Sequence, residues 1–420
     1  MLRNSLAASG RRTGLGAAIA ATLFMSAPVA AVAESGWRDP HPQRRDGFVE
    51  GREFLYNMES FLHRLSYRQL SDTPAPGEDG LYGTGGSITG DELYLEANLQ
   101  KTLMLDNGRY GIVARMQRRE DFDGRFDRQM LGVKREFSER LSGAFVADIS
   151  GDKGLVDFQY ESTWRPDDSQ QLRMVIVQMD RLYNNKGNSS NKYQRTPTTY
   201  FAHYQRRLSD VLYGDLAINY SPNTRYEDRN QGVMIRSAQL RIAAGLSFPL
   251  SSNWVTGVDI KAERTDRNYD GLPLMVRQGS GDFSRDMQQV TWSIESTQPR
   301  RWNGGLRYFR FDEHGWFGQN LATDGHNHRR EMYAFAGATV RQRDNNWWEP
   351  VLYVGNVDLD RQFTQRPMDN RDSNRIVAKV STAWRYVIHQ QSGAVLTVNP
   401  TFRLHSMNFG GGNLQLHWPL

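Results

Sequence analysis

The chain has 420 residues, 38% of them hydrophobic, and beyond its N-terminus no run of 18 apolar residues, which excludes a helical membrane protein. Its 52 Lys+Arg against 47 Asp+Glu give a net charge of +5, but the basic residues are spread along the chain, which argues against a nucleic-acid partner. Cysteine is absent, so a disulfide framework and thiolate metal sites are excluded, as suits an exported envelope protein.

Arg3, Arg11 and Arg12 precede the apolar stretch Leu15 to Met25, and Ala31-Val32-Ala33 follows as a small-x-small cleavage site. Residues 1–33 therefore read as a secretory signal peptide and 34–51 as a polar periplasmic leader. Arg52 to Leu70 fits two elements. Phe54, Tyr56 and Met58 alternate as in a strand, while Phe54, Met58, Phe61 and Leu65 stand at helical spacing.

After a glycine-rich stretch ending at Gly90, two-residue alternation begins and lasts to the final residue. Leu93, Leu95, Ala97 and Leu99 oppose Tyr94, Glu96, Asn98 and Gln100. Asp106-Asn107-Gly108 then signals a tight hairpin. The clearest run is Ser237 to Phe248. Ala238, Leu240, Ile242, Ala244, Leu246 and Phe248 share one parity; Gln239, Arg241 and Ser247 take the other. Such runs, each long enough to cross a bilayer when tilted, predict an all-β fold: a transmembrane antiparallel up-and-down β-barrel over 52–420. Short connections (Leu250–Asn253, Asp344–Asn346) alternate with long ones (Tyr183–Pro197, Ser221–Gly232, Arg264–Asp286, Asp312–Arg330, Arg361–Asn374). Outer-membrane barrels have short periplasmic turns and long external loops, so Leu93–Leu103 descends and an ascending strand must precede it. Arg52–Tyr67 is the candidate. Counting it gives about 18 strands, or 16 if it is a helix, within the known range for such barrels.

Leu414, Leu416, Trp418 and Leu420 alternate to the C-terminus. This resembles the closing-strand signal of bacterial outer-membrane barrel proteins, with Leu in place of the usual terminal Phe. The resemblance covers 52–420. It implies an outer-membrane location, contact with outer-membrane lipids and recognition by the barrel-assembly machinery. Arg-rich barrels of this size without a plug domain resemble alginate-type exporters as well as substrate-specific porins. The implied cargo is a hydrophilic solute or a secreted polysaccharide, with a separate periplasmic partner in the exporter case.

The parity assigns an inward charge pattern. Acidic inward positions are Asp157, Glu161, Asp215, Asp259, Glu263 and Glu295. Basic ones are Arg115, Arg119, Arg241, Arg375, Lys379, Arg385 and Arg403. The last four face the acidic group across the ring, so the expectation is one basic wall and one largely acidic wall. Only seven of the basic residues are lysine, and arginine's rigid fork suits carboxylates, phosphates and sugar hydroxyls. The reading is a channel for hydrophilic, anionic solutes or a polysaccharide. The alternative is a non-conducting surface barrel of lectin or adhesin type. No nucleophile stands with a base and an orienting acid, so neither enzyme nor cofactor is expected. Asp266 to Gly271 matches half of an EF-hand loop but lacks the twelfth-position Glu. His326 and His328, with His314 and Asp324 nearby, could hold a metal, against the plainer reading of a solvated loop.

Overall fold

The structure is a computed structural model that describes residues 79–420, apart from several connections between strands, the longest being 150–157 and 179–191. The signal peptide, the leader and Arg52–Leu70 lie outside the described residues.

Nineteen stretches of strand form one sheet. The first half comprises β1 (Gly80–Ser87), β2 (Leu93–Leu105), β3 (Tyr110–Asp121), β4 (Gly124–Ser138), β5 (Leu141–Asp148), β6 (Phe158–Asp167), β7 (Gln170–Gln178), β8 (Lys192–Arg195) and β9 (Thr198–Arg207). The second comprises β10 (Tyr213–Asp228), β11 (Val233–Ser251), β12 (Trp254–Leu274), β13 (Arg277–Ser296), β14 (Arg301–Phe317) and β15 (Thr323–Arg343). It ends with β16 (Asn346–Phe363), β17 (Arg371–His389), β18 (Ala394–Arg403) and β19 (Asn408–Pro419). β8 pairs with the far end of β10 and β9 with its near end, so the two are pieces of one stave. The sheet therefore has eighteen staves, each antiparallel to the next, and β19 bonds back to β1 from Gly80↔Pro419 to Ser87↔Gly412. The predicted antiparallel barrel is the observed fold.

The ascending strand expected before Leu93 is Gly80–Ser87, not Arg52–Tyr67. Alternation is silent there because the outward positions Leu81, Gly83 and Gly85 include two glycines, set opposite Trp418, Leu416 and Leu414.

Side chains of one parity form an apolar outer belt: Leu216, Leu246, Ile260, Trp292, Leu306 and Leu352 are all exposed. Exposed Tyr110, Phe137, Trp164, Trp254, Trp302 and Trp384 lie within a few residues of the short turns. This is the aromatic girdle of a bilayer interface. Polar atoms within the belt find partners. The Trp292 indole N–H donates to the Thr256 hydroxyl at 3.0 Å, and that hydroxyl donates to the Ser293 carbonyl at 2.9 Å. An unpaired group there would cost several kcal/mol in hydrocarbon.

Most of the expected long loops are ladders. β12 and β13 remain paired out to Leu274↔Arg277, and β14 and β15 out to Phe317↔Thr323. On β12 the outer belt ends near Ala262; Arg264 and Asp266 follow on the same face, 3.1 Å apart. Beyond that point both faces are polar and the parity signal disappears, although backbone pairing continues. The half EF-hand sequence Asp266–Gly271 belongs to this ladder, with Asp270 opposite Ser280. It is not a coordinating loop.

Removing Gly412–Leu420 should leave β18 and β1 as open edges and abolish the heat-modifiable gel mobility of a closed barrel. In the belt, Ile242→Arg should destabilise by about 2–4 kcal/mol. The inward Ala243→Ser should change stability by under about 1 kcal/mol, both read from denaturant unfolding in detergent or lipid.

Candidate functional site: the inner wall

The parity opposite to the belt faces the barrel interior, and its charges are organised in networks across neighbouring staves. In the first, the Arg115 Nε donates to Gln100 at 2.6 Å and its Nη1 donates to Gln159 at 3.1 Å. Arg115 also forms a salt bridge with Glu161, whose second oxygen accepts from Arg173 Nη2 at 3.2 Å. All three ionic side chains are buried. Arg115 on β3 reaches Glu161 on β6 past two intervening staves, β4 and β5. Apolar residues fill the rest of the inward face beside this network: Met130, Val146, Val175 and Val177 form one buried cluster.

The second network runs along β11 to β15. Arg241 pairs with Glu263 at 3.0 Å, and Gln239 donates to the same carboxylate at 2.9 Å. Arg285 lies 3.9 Å from Glu263 and pairs with Glu313 at 2.8 Å. Asn327 Nδ2 donates to the other Glu313 oxygen at 3.2 Å. In the third network Arg385 pairs with Glu349 at 2.9 Å, while Lys379 stands directly across from Arg403 on β18.

Beside these charges lies inward apolar surface. Tyr333, Tyr353, Val357 and Val377 form one buried cluster, and Phe309 with Phe311 forms another. Several rings lie against the wall over cross-strand glycines. A Cβ on Gly305 would sit 2.8 Å from Phe335 Cζ, and one on Gly325 would sit 2.7 Å from Phe363 Cδ1. Glycine lets each ring rest on the backbone instead of projecting across the lumen.

The structure brings Arg115, Glu161, Arg241, Glu263 and Arg385 into these networks. Asp215 and Asp259 converge over Gly245, where a Cβ would meet their Oδ1 atoms at 2.5 and 3.0 Å. Glu295 lies 3.8 Å from Arg301 near a short turn. Lys379 is buried, Arg403 half-buried, and Arg375 exposed toward the long-loop end of β17. Asp157 and the side chain of Arg119 fall outside the described residues. The expected segregation into an acidic and a basic wall is not the arrangement found. Glu161 and Glu263 are each held by two arginines, and Glu349 sits among the supposed basic residues. Sequence reading missed Arg173, Arg285, Glu313 and Glu349. Arg285 and Glu313 fall in stretches expected as long loops, although each continues the inward parity of its strand.

No family model matches the chain, and no curated protein matches it. Among solved structures the chain is similar to OprD of Pseudomonas aeruginosa, at 12% identity over 81% of this chain and 93% of that one, with a TM-score of 0.39. It is likewise similar to a BenF-like porin from Pseudomonas fluorescens Pf-5, at 11% identity over 81% and 97%, with a TM-score of 0.41. A loop-deletion form of OmpT from Vibrio cholerae gives 10% identity over 80% and 97%, with a TM-score of 0.34. Likeness at this level says nothing about the solute.

Breaking a buried ion pair strands its partner in low dielectric. Glu161→Leu, which leaves Arg115 and Arg173 without their shared counter-charge, should lower stability by about 3–5 kcal/mol. Pairing Glu161→Leu with Arg115→Met should recover part of that loss, measured as a double-mutant cycle in denaturant.

Proposed function

We propose that the chain is a bacterial outer-membrane channel for hydrophilic solutes with a preference for anions. The observation that carries this reading is the division of the closed barrel into two surfaces. The outside is an apolar belt with an aromatic girdle; the inside is charged and arginine-rich. Only a closed barrel or a helix satisfies its backbone in lipid, and here the barrel is closed. The short turns then face the periplasm and the extended ladders face outward.

The anion preference rests on the balance of charge. Two arginines share Glu161, and near the β17–β18 seam Lys379 and Arg403 stand side by side with Arg375 further along β17. A carboxylate-bearing solute, or a polymer carrying many carboxylates, could pass along such groups by exchange among weak sites. Transport of this kind needs no nucleophile and no cofactor.

Replacing Arg375, Lys379 and Arg403 with Gln should lower the anion-to-cation permeability ratio, read as a shift of reversal potential in a KCl gradient. The shift should shrink at high salt as the Debye length falls. Arg385 is left in place because its removal would expose Glu349. An unchanged reversal potential in the triple variant would remove these residues from the conducting path.

One observation favours a second reading, a non-conducting surface barrel. Inward Thr265, Phe311, Glu313 and Asn327 are each 0% exposed, so this part of the inner wall is covered. Planar-bilayer recording of the purified chain separates the two. Discrete conductance steps support the channel, and their absence in a barrel that remains heat-modifiable supports the surface protein.

A further inference from the structure

Three histidines gather on the outer face of the β14–β15 ladder, outside the lumen and clear of the apolar belt. His326 and His328 lie two residues apart on β15 and so share a face. His314 on β14 is directly opposite His326. The belt on these strands ends at Tyr308 and Met332, which pair with each other; Arg310↔Arg330 comes next, then Asp312↔His328, then His314↔His326. The cluster therefore sits on the aqueous side of the boundary, beside the connection 318–322. All three rings are accessible: His326 and His328 are about one-third exposed, and His314 is exposed.

From this geometry we infer a binding site for a borderline first-row divalent cation, zinc by preference, held by His314, His326 and His328. Ring centroids are separated by 4.7 Å (His314–His328), 4.9 Å (His326–His328) and 6.5 Å (His314–His326). Three imidazoles on one tetrahedral zinc, with Zn–N of about 2.0–2.1 Å, have centroids roughly 5 Å apart. A pair two residues apart on one strand with a third from the neighbouring strand is a rigid way to present three such ligands. As the side chains stand, no group of three or more ligating residues among those described is set to hold an ion, so binding requires the rings to turn. Two of them are already steered by carboxylates. His328 Nδ1 is 2.7 Å from Asp312 Oδ1, which leaves Nε2 for the ion. His326 Nε2 is 3.3 Å from Asp360 Oδ2, which leaves Nδ1. A carboxylate on the far nitrogen fixes the tautomer and raises the basicity of a metal-bound histidine. The fourth position is left to water or to a ligand outside the cell, since the ladder faces away from the lumen.

The ligand class follows from the donors. Imidazole suits zinc, copper and nickel, whereas calcium and magnesium take oxygen ligands. A bound ion would clamp β14 to β15 beyond the membrane and leave the pore chemistry untouched.

The test is calorimetric titration of the untagged full chain in detergent with zinc chloride. One zinc per chain is expected, undiminished by excess magnesium. His314→Gln, His326→Gln and His328→Gln should each weaken binding at least tenfold, and the triple variant should abolish it. Asp312→Asn, which keeps the side chain's size but removes the charge that orients His328 and pairs with Arg310, should weaken it by about 10–100-fold. Heat-modifiable mobility confirms that each variant is folded. No binding by the parent chain, unchanged stoichiometry in the folded triple variant, or displacement of zinc by magnesium would each overturn the site.

Discussion

Everything in this barrel depends on one requirement: in hydrocarbon, every backbone N–H and C=O must find a partner within the protein. A sheet of eighteen staves meets it only by joining its ends, and at the joint between β1 and β19 the β1 side is rich in glycine. β1 contributes Gly83 and Gly85 to the lipid face, opposite Leu416 and Leu414. Its pairing rests on main-chain bonds more than on side-chain packing. Asp79, just before it, ties the start of β1 to β2 by accepting from the Thr102 amide at 2.8 Å and the Thr102 hydroxyl at 2.8 Å.

Closure also sets the chemistry inside. With the outer face given over to lipid, most charges of the spanning region lie on the inner wall. There, ion pairs between neighbouring staves meet the desolvation that burial imposes. A buried carboxylate is stable only with its counter-ions and hydrogen bonds in place, and Glu161, Glu263 and Glu313 each have two or more polar partners. Arginine outnumbering lysine is the compositional trace of this arrangement, because one guanidinium can serve two acceptors at once, as Arg115 does.

Where one face is apolar and the other polar, the sequence already discloses the strand. β11 is readable to within a few residues at each end for that reason, as are the start of β12 and the end of β19. Legibility failed in three settings with different causes. In Gly80–Ser87 the outward positions include glycines, so there is no apolar face to see. In β7, inward Val175 and Val177 alternate with outward Met174 and Ile176, and a wall apolar on both sides has no visible period. In the extended ladders both faces are polar, and Arg264–Asp286 looked like a loop although its backbone is paired almost throughout. The inner charges were visible one at a time from parity. Their partners were not, because Arg115 and Glu161 lie 46 residues apart and meet only through the curvature of the closed sheet.

That long reach has a mechanical meaning. Neighbouring staves are tied by ladder bonds that resist sliding but offer little resistance to a change of curvature, so a wide barrel can be squeezed toward an oval. The link from β3 to β6 acts as a bowstring across a four-stave arc, with Met130 and Val146 packed in the same sector. It holds that arc at one radius. Flattening of the cross-section must then fall on the rest of the circumference, where the ionic contacts between β11 and β15 join adjacent staves and leave the bend between them free.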